Sequence, residues 1–223
     1  MNRIFMKILI ATHNQGKFNE LMEVLHVLPF EFVSLTDLGI SSDVDENGAT
    51  YEDNAIIKAE HFGKLANLPT IADDSGIHID ALSGKLGVHT RRWGAGVQAS
   101  DKEWLDYFLK RMENESNRKA EFISVIAFYN PHEIGQVQPP LPKGEQALVN
   151  LQSGVITFRG ECKGVILHQP QVDLEPGIPL SAVFLPEGKD YVFSALSKDE
   201  KNSISHRGKA IHQCVTYLNT VHE

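Results

Sequence analysis

Cysteine is scarce in this chain: 223 residues carry two, Cys162 and Cys214. Two thiols cannot build a disulfide framework or a four-cysteine zinc site, and they read as ordinary residues of a reducing, cytoplasmic compartment. Long apolar runs are missing too. None approaches the roughly 18 residues that span a bilayer, which argues against a membrane protein. The stretch from Met1 to Ala11 mimics a signal peptide, but Thr12 to Lys17 follows at once without a small-residue cleavage site. Positive charge is short, with 21 basic against 29 acidic residues and a net charge of -8. That balance, with no basic stripe interleaved with aromatics, argues against nucleic acid as a partner. Ten histidines include no His-Glu-x-x-His, so a catalytic zinc site is disfavoured. There is no Gly-x-Ser-x-Gly elbow, Walker loop or dinucleotide fingerprint either.

What is present is an alternation of strand and helix signals and enough apolar residue, 42%, for a sizeable core. Lys7 to Ala11 reads as a buried strand. Phe18, Leu21, Met22, Leu25 and Leu28 then share a helical face. Phe30 to Leu35 reads as a second strand and Tyr51 to Leu65 as a helix with Ala55, Ala59, Phe62 and Ala66 on one stripe. Pro69 to Ala72 is a third strand signal, and Ile77, Ile79 and Ala81 continue with a period of two. Trp104, Tyr107, Phe108 and Met112 mark another helix. Phe122 to Tyr129 is a long strand, Ile156 and Phe158 alternate with Thr157 and Arg159, and Gly164 to His168 reads as a further strand. Pro131 to Gly154 is expected to be a surface excursion. A last helix starting near Ser205 buries Ala210, Ile211, Cys214, Val215 and Leu218. The expected fold is mixed α/β: residues 1–223 as one two-lobed domain, a curved sheet with helices around it and a central cleft.

Three loops concentrate the polar chemistry. Thr12-His13-Asn14-Gln15-Gly16-Lys17 joins the first strand to the first helix, where backbone N–H groups favour an anion. Lys17 there opposes the helix dipole, so it is either a phosphate ligand or a solvated lysine. Asp43, Asp45 and Glu46 precede the helix that carries Asn54 and Lys58. Ala72-Asp73-Asp74-Ser75-Gly76 places two aspartates where an apolar strand is expected to end. Carboxylates there either hold Mg²⁺ or merely close the strand in an Asx-turn. The third loop is Lys201-Asn202-Ser203-Ile204-Ser205-His206-Arg207. Ser205 is a natural N-cap, which puts His206 and Arg207 in the positive first turn, where two cations call for an anion. Arg91-Arg92 adds another basic pair.

Taken together, these segments resemble the inosine triphosphate pyrophosphatase family, enzymes that act on non-canonical purine nucleoside triphosphates. The matching residues are Ala11 to Lys17 with Glu20, Glu46-Asn47-Gly48, Asn54-Ala55 with Lys58-Ala59, Ala72 to Gly76, Arg92-Trp93, Glu200-Lys201-Asn202 and Ser205-His206-Arg207. They occur in family order from about Lys7 to Leu218. The resemblance implies a two-lobed fold with the nucleotide in its cleft, a homodimer, and Mg²⁺-dependent cleavage of a triphosphate such as ITP, dITP or XTP to monophosphate and pyrophosphate. It implies that Glu46 and Asp74 bind Mg²⁺, for which Mn²⁺ would also fit, and that Asp74, supported by Asp73, activates water. Thr12, Asn14, Lys17 and Lys58 would hold phosphates, Ser75 would contact substrate, and Arg92, Lys201, His206 and Arg207 would complete the nucleotide grip.

One segment departs from the family pattern. Where the family carries Phe-Gly-Tyr-Asp-Pro, with a ring that stacks on the base and an aspartate that helps read it, this chain has Ile178-Pro179-Leu180-Ser181-Ala182. A shifted or relaxed base preference is therefore expected. The alternatives are the same reaction on a pyrimidine or other modified nucleotide, or a nucleotide sensor without turnover. Retention of Glu46 and Asp74 speaks against the sensor, since binding alone needs no water-activating carboxylate.

Overall fold

The computed structural model describes residues 6–83, 85–96, 98–133, 147–150 and 154–222. Strand β1 (Lys7–Ala11) runs into helix α1 (Gln15–Leu25), strand β2 (Glu31–Ser34), helix α2 (Tyr51–Ala66) and strand β3 (Thr70–Ile79). β1 lies between β2 and β3 and is parallel to both. Because β2 and β3 flank β1 on opposite sides, the two crossover helices cover opposite faces of the sheet. α1 packs on one face with Ile8, Ile10 and Ile71. α2 packs on the other with Leu9, Ala11 and Ala72.

The sheet then turns antiparallel. Helix α3 (Asp101–Arg111) leads to β4 (Lys119–Tyr129), which pairs with β3 along its full length. β6 (Val155–Ile166) pairs with β4, and its other edge carries β5 (Ala147–Asn150) at one end and β7 (Phe184–Pro186) at the other. The strand order is β2-β1-β3-β4-β6-β5, with β7 beside β6. Helices α4 (Lys198–Ile204) and α5 (His206–His222) close the chain, α5 lying with α1 over Ile126, Phe128 and Phe158. A separate apolar cluster fills the far half, where Ile77, Trp104, Phe108, Phe122, Phe184 and Phe193 meet. Three apolar clusters thus line one long sheet, one on each face near β1 and one in the far half.

Most expected elements stand where the periodicity put them. Three differ. β3 does not end at Ala72 but continues through Asp73, Asp74, Ser75 and Gly76 to Ile79, and Ala81 leaves the strand in a 3-10 helix, Asp80–Leu82. Gly76 is no turn: a side chain there would strike the Gly87 carbonyl and the Thr90 hydroxyl, so glycine lets the segment after Leu86 press on the strand. The strand expected over Gly164 to His168 is the far end of β6, and Leu167 and His168 lie past it. Of the Pro131 to Gly154 excursion, 134–146 and 151–153 lie outside the described residues. No helix among those described is long and apolar enough to cross a membrane.

Candidate active site

β1 pairs with β3 only as far as Ala11 opposite Ala72. Beyond that point β1 has become the α1 loop, so Asp73 onward keeps β4 on one edge and leaves the other to side chains. Ligand sites of open α/β sheets lie at such carboxyl ends of strands. Successive strand residues point to opposite faces, and this divides the two aspartates. Asp73 sits on the α1–α5 face and Asp74 on the α2 face. The Asx-turn alternative is thereby excluded.

Asp73 is 1% exposed and saturated. Its Oδ1 accepts from Ser124 Oγ at 2.6 Å and from Arg207 Nε at 3.3 Å. Its Oδ2 accepts from Ser75 Oγ at 3.1 Å and meets Lys17 Nζ at 2.8 Å. Burial alone would raise its pKa, but Arg207, Lys17 and the Ser124 hydroxyl hold it well below the ordinary carboxylate range. Lys17 thus relieves its conflict with the α1 dipole by pairing with an aspartate. Asn14 caps α1: its Oδ1 accepts from Lys17 N at 2.9 Å, and its Nδ2 donates to the Gly177 carbonyl at 3.0 Å. Thr12 Oγ1 accepts from Asn14 N and shapes the loop.

Asp74, 5% exposed, has fewer partners. Lys58 Nζ lies 2.9 Å from Oδ1, and Asn54 Nδ2 donates to Oδ2 at a long 3.4 Å. Here burial outweighs the attraction of Lys58 and Lys17, and the carboxylate at Glu46 adds to it, so the pKa of Asp74 is raised. Lys58 also contacts Glu46 Oε2 at 3.3 Å. Burial would lower the pKa of Lys58, but Asp74 and Glu46 keep it charged. An ammonium therefore sits between the two expected metal-binding carboxylates. That place suits a cation, and two carboxylates completed by phosphate oxygens and water are an ordinary Mg²⁺ environment. No group of three or more His, Cys, Asp or Glu side chains able to hold a metal was found among the described residues.

The third loop arrives from α5. Ser205 caps it, its Oγ accepting from Gly208 N at 3.0 Å. Arg207 reaches Asp73, Ser75 Oγ at 2.8 Å and the Glu20 carboxylate. Glu20 also holds Lys201 Nζ at 2.8 Å, and Lys201 touches Glu175 at 3.4 Å. Arg207 and Lys201 keep the pKa of Glu20 low despite its burial. His206 departs from expectation. It is 6% exposed, lies flat on Phe122 with ring centroids 4.6 Å apart, and leaves its Nδ1 without a partner. Burial and the neighbouring Arg207 lower its pKa to about 3. Of the two cations expected at the start of α5, Arg207 is one and His206 is instead a neutral imidazole.

With these contacts in place, the chain can be set beside known proteins. The family model described as the Ham1 family matches residues 8–217. The chain belongs to the Ham1 family. Its relatives include the dITP/XTP pyrophosphatase of Yersinia pseudotuberculosis serotype I (strain IP32953), 35% identical over 207 residues, covering 92% of this chain and 94% of the relative. The dITP/XTP pyrophosphatase of Bacillus subtilis (strain 168) is 34% identical over 210 residues, covering 93% and 94%. A HAM1 protein from Coxiella burnetii superposes with a TM-score of 0.74 at 32% identity, over 96% of this chain and 99% of that one. The Ham1 protein of Staphylococcus aureus gives 0.72 at 28% identity, over 96% and 98%.

Within this Ham1 chain, Asn14, Lys17, Asp73, Ser75, Lys201 and Arg207 are linked on one face, and Glu46, Lys58 and Asp74 on the other. The side chain of Arg92 lies outside the described residues. A cavity of about 1070 Å³ opens on the α2 face farther along β3, lined among others by Tyr51, His78, Val88, Glu121 and Arg159. None of the proposed catalytic or phosphate residues lines it. Sequence reading gave no role to Ser124, and its 51-residue separation from Asp73 offered no local signal. Glu20 was a motif match without a role, and an acidic residue facing two basic ones across the sequence gave no spacing to read. Within Ile178 to Ala182, Pro179–Ala182 form a buried 3-10 helix, with Leu180 in the far core.

Proposed function

We propose that this chain hydrolyses non-canonical purine nucleoside triphosphates, with dITP and XTP as substrates, to the monophosphate and pyrophosphate, using Mg²⁺. The observation that carries the reading is the convergence of the family-matching residues on the two faces of Asp73–Asp74, in a chain that aligns with dITP/XTP pyrophosphatases over nine-tenths of its length. Lys17, aided by Thr12 and Asn14 at the start of α1, takes the phosphates on one face. Lys58, whose ammonium lies between Glu46 and Asp74, takes them on the other, and Glu46 and Asp74 would hold the metal ion. When bound there, Mg²⁺ would neutralise phosphate charge and lower the pKa of a coordinated water.

The residues then divide the chemistry. Water attacks the α-phosphorus, its proton passes to the Asp74 carboxylate, and the bond to the bridging oxygen breaks, so pyrophosphate leaves with the electron pair. Asp74 suits the base role because its Oδ2 is held only by a long 3.4 Å contact from Asn54 and is left to accept a proton. Asp73, locked by four donors, is too acidic for that role and instead fixes Lys17 and Arg207. Lys17 and Lys58 stabilise the charge that develops on pyrophosphate. Ser75, Arg92, Lys201, His206 and Arg207 form the grip on the rest of the nucleotide, His206 as a neutral, stacked ring. The same reading takes the protein as a cytoplasmic homodimer, which light scattering of the purified protein tests for the dimer.

The test is pyrophosphate release with Mg²⁺ across dITP, ITP, XTP, ATP, GTP, CTP and UTP. Preference for dITP and XTP supports the reading, and release from none of them refutes it. A second reading, turnover of pyrimidine nucleotides, is favoured by one observation: Pro179–Ala182 are buried and put no ring where the family stacks a purine.

A further inference from the structure

Resting on that function, we infer that Glu175, with Lys201, reads the base edge. The segment 175–178 is tied to the start of α1 by two contacts and to the start of α3 by a third. Asn14 Nδ2 donates to the Gly177 carbonyl at 3.0 Å, and Gly177 N donates to Asp101 Oδ2 at 2.6 Å. The Pro176 carbonyl lies so close to Gly16 that a side-chain carbon there would come within 2.6 Å of it. This loop is therefore fixed against the phosphate-binding turn rather than free to swing. It brings the Glu175 carboxylate, 42% exposed at its side chain, to 3.4 Å from Lys201 Nζ. Lys201 is buried, and its other partner, Glu20, is buried with it and also engaged by Arg207. Glu175 is the member of the chain Arg207–Glu20–Lys201–Glu175 that faces solvent.

A carboxylate beside an ammonium presents an acceptor next to a donor. Hypoxanthine, xanthine and guanine present the complement, an N1–H donor next to the C6 carbonyl acceptor, and uracil offers the same pair at N3 and O4. Adenine and cytosine present the reverse, a ring-nitrogen acceptor next to an amino donor. The Glu175–Lys201 pair therefore selects bases with an oxo group on this edge and rejects those with an amino group. A hydrogen bond can reject a base strongly because the mismatch leaves polar groups facing like groups. At C2 the pair favours guanine, whose amino group can donate to the second carboxylate oxygen, over xanthine and uracil, whose 2-oxo group requires that oxygen to turn away, so rejection of GTP comes from elsewhere in the site.

The experiment compares wild type, Glu175→Gln and the loop control Asp173→Asn by kcat/KM for ITP, GTP, UTP, ATP and CTP. The same proteins are titrated with IMP and AMP by calorimetry. The amide of Glu175→Gln can turn a donor toward the base, so the ITP-to-ATP preference should fall at least about tenfold, through loss on ITP and gain on ATP. Asp173→Asn should keep the wild-type preference. A merely structural role would lower all five nucleotides together and leave the ratio unchanged, and that result overturns the inference. If wild type turns over none of them, the pyrophosphatase reading fails, while IMP binding preferred over AMP in wild type and not in Glu175→Gln would still sustain Glu175. Equal IMP and AMP binding in wild type, or no binding of either, overturns it.

Discussion

Replacing Asp73 by asparagine removes one charge from a site built around it. Both carboxylate oxygens accept: Oδ1 from Ser124 and Arg207, Oδ2 from Ser75 and Lys17. An asparagine offers one oxygen and one NH₂ group, so whichever way it turns, donors face donors. Arg207 keeps Glu20 and Ser75, but the Lys17 ammonium loses its 2.8 Å partner while largely buried. Breaking a buried pair by removing one partner costs about 3–5 kcal/mol. For a chain of this length that corresponds to a melting temperature lower by roughly 6–20 °C. Urea denaturation at pH 7 should show the midpoint falling without a change in slope. The pH dependence has a definite sign. The folded pKa of Asp73 is depressed below 3.8, so its stabilisation is fully present above that value and is lost as pH falls through the folded pKa. The gap between wild type and variant should be constant from neutral pH down to about 4 and close below it. A loss under about 1 kcal/mol at pH 7, or a gap that does not narrow in acid, would refute the reasoning.

Asp74→Asn should abolish pyrophosphate release while costing far less stability than Asp73→Asn, since burial already disfavours the Asp74 charge; parallel melting curves and single-turnover assays check both halves. Lys17→Ala should raise KM for the triphosphate with a smaller effect on kcat; steady-state kinetics in which neither changes would remove it from the phosphate site. Gly76→Ala should cost about 1–3 kcal/mol, because the new methyl meets the Gly87 carbonyl and the Thr90 and Tyr51 hydroxyls; thermal melting reads this directly.

How much of this was legible in the sequence depended on distance along the chain. β1, α1, α2 and α5 follow from local apolar periodicity, and their cores contain the residues that the periodicity selects. Ser205 was readable as a helix cap because capping acts over three positions, whereas Asn14, which caps α1, was read only as a phosphate ligand. The path of β3 was not readable. Asp73-Asp74-Ser75-Gly76 has the composition of a turn, and it stays in a buried strand only because cations from α1, α2 and α5 reach both faces. The same long-range pairing hid Ser124 and the role of Glu20. His206 was misjudged as a cation for a related reason: its charge is set by burial, its ring stacked on Phe122, 84 residues away in sequence, and by the neighbouring Arg207. The base-reading segment could be recognised as divergent from sequence, whereas the Lys201–Glu175 contact needed the fold to bring two loops together.

The most direct test of the central claim is ³¹P NMR of dITP incubated with the purified protein and Mg²⁺. Cleavage at the α-phosphorus predicts loss of all three triphosphate resonances with the appearance of dIMP and pyrophosphate in equal amounts. Formation of dIDP with inorganic phosphate, or an unchanged triphosphate spectrum, would contradict it.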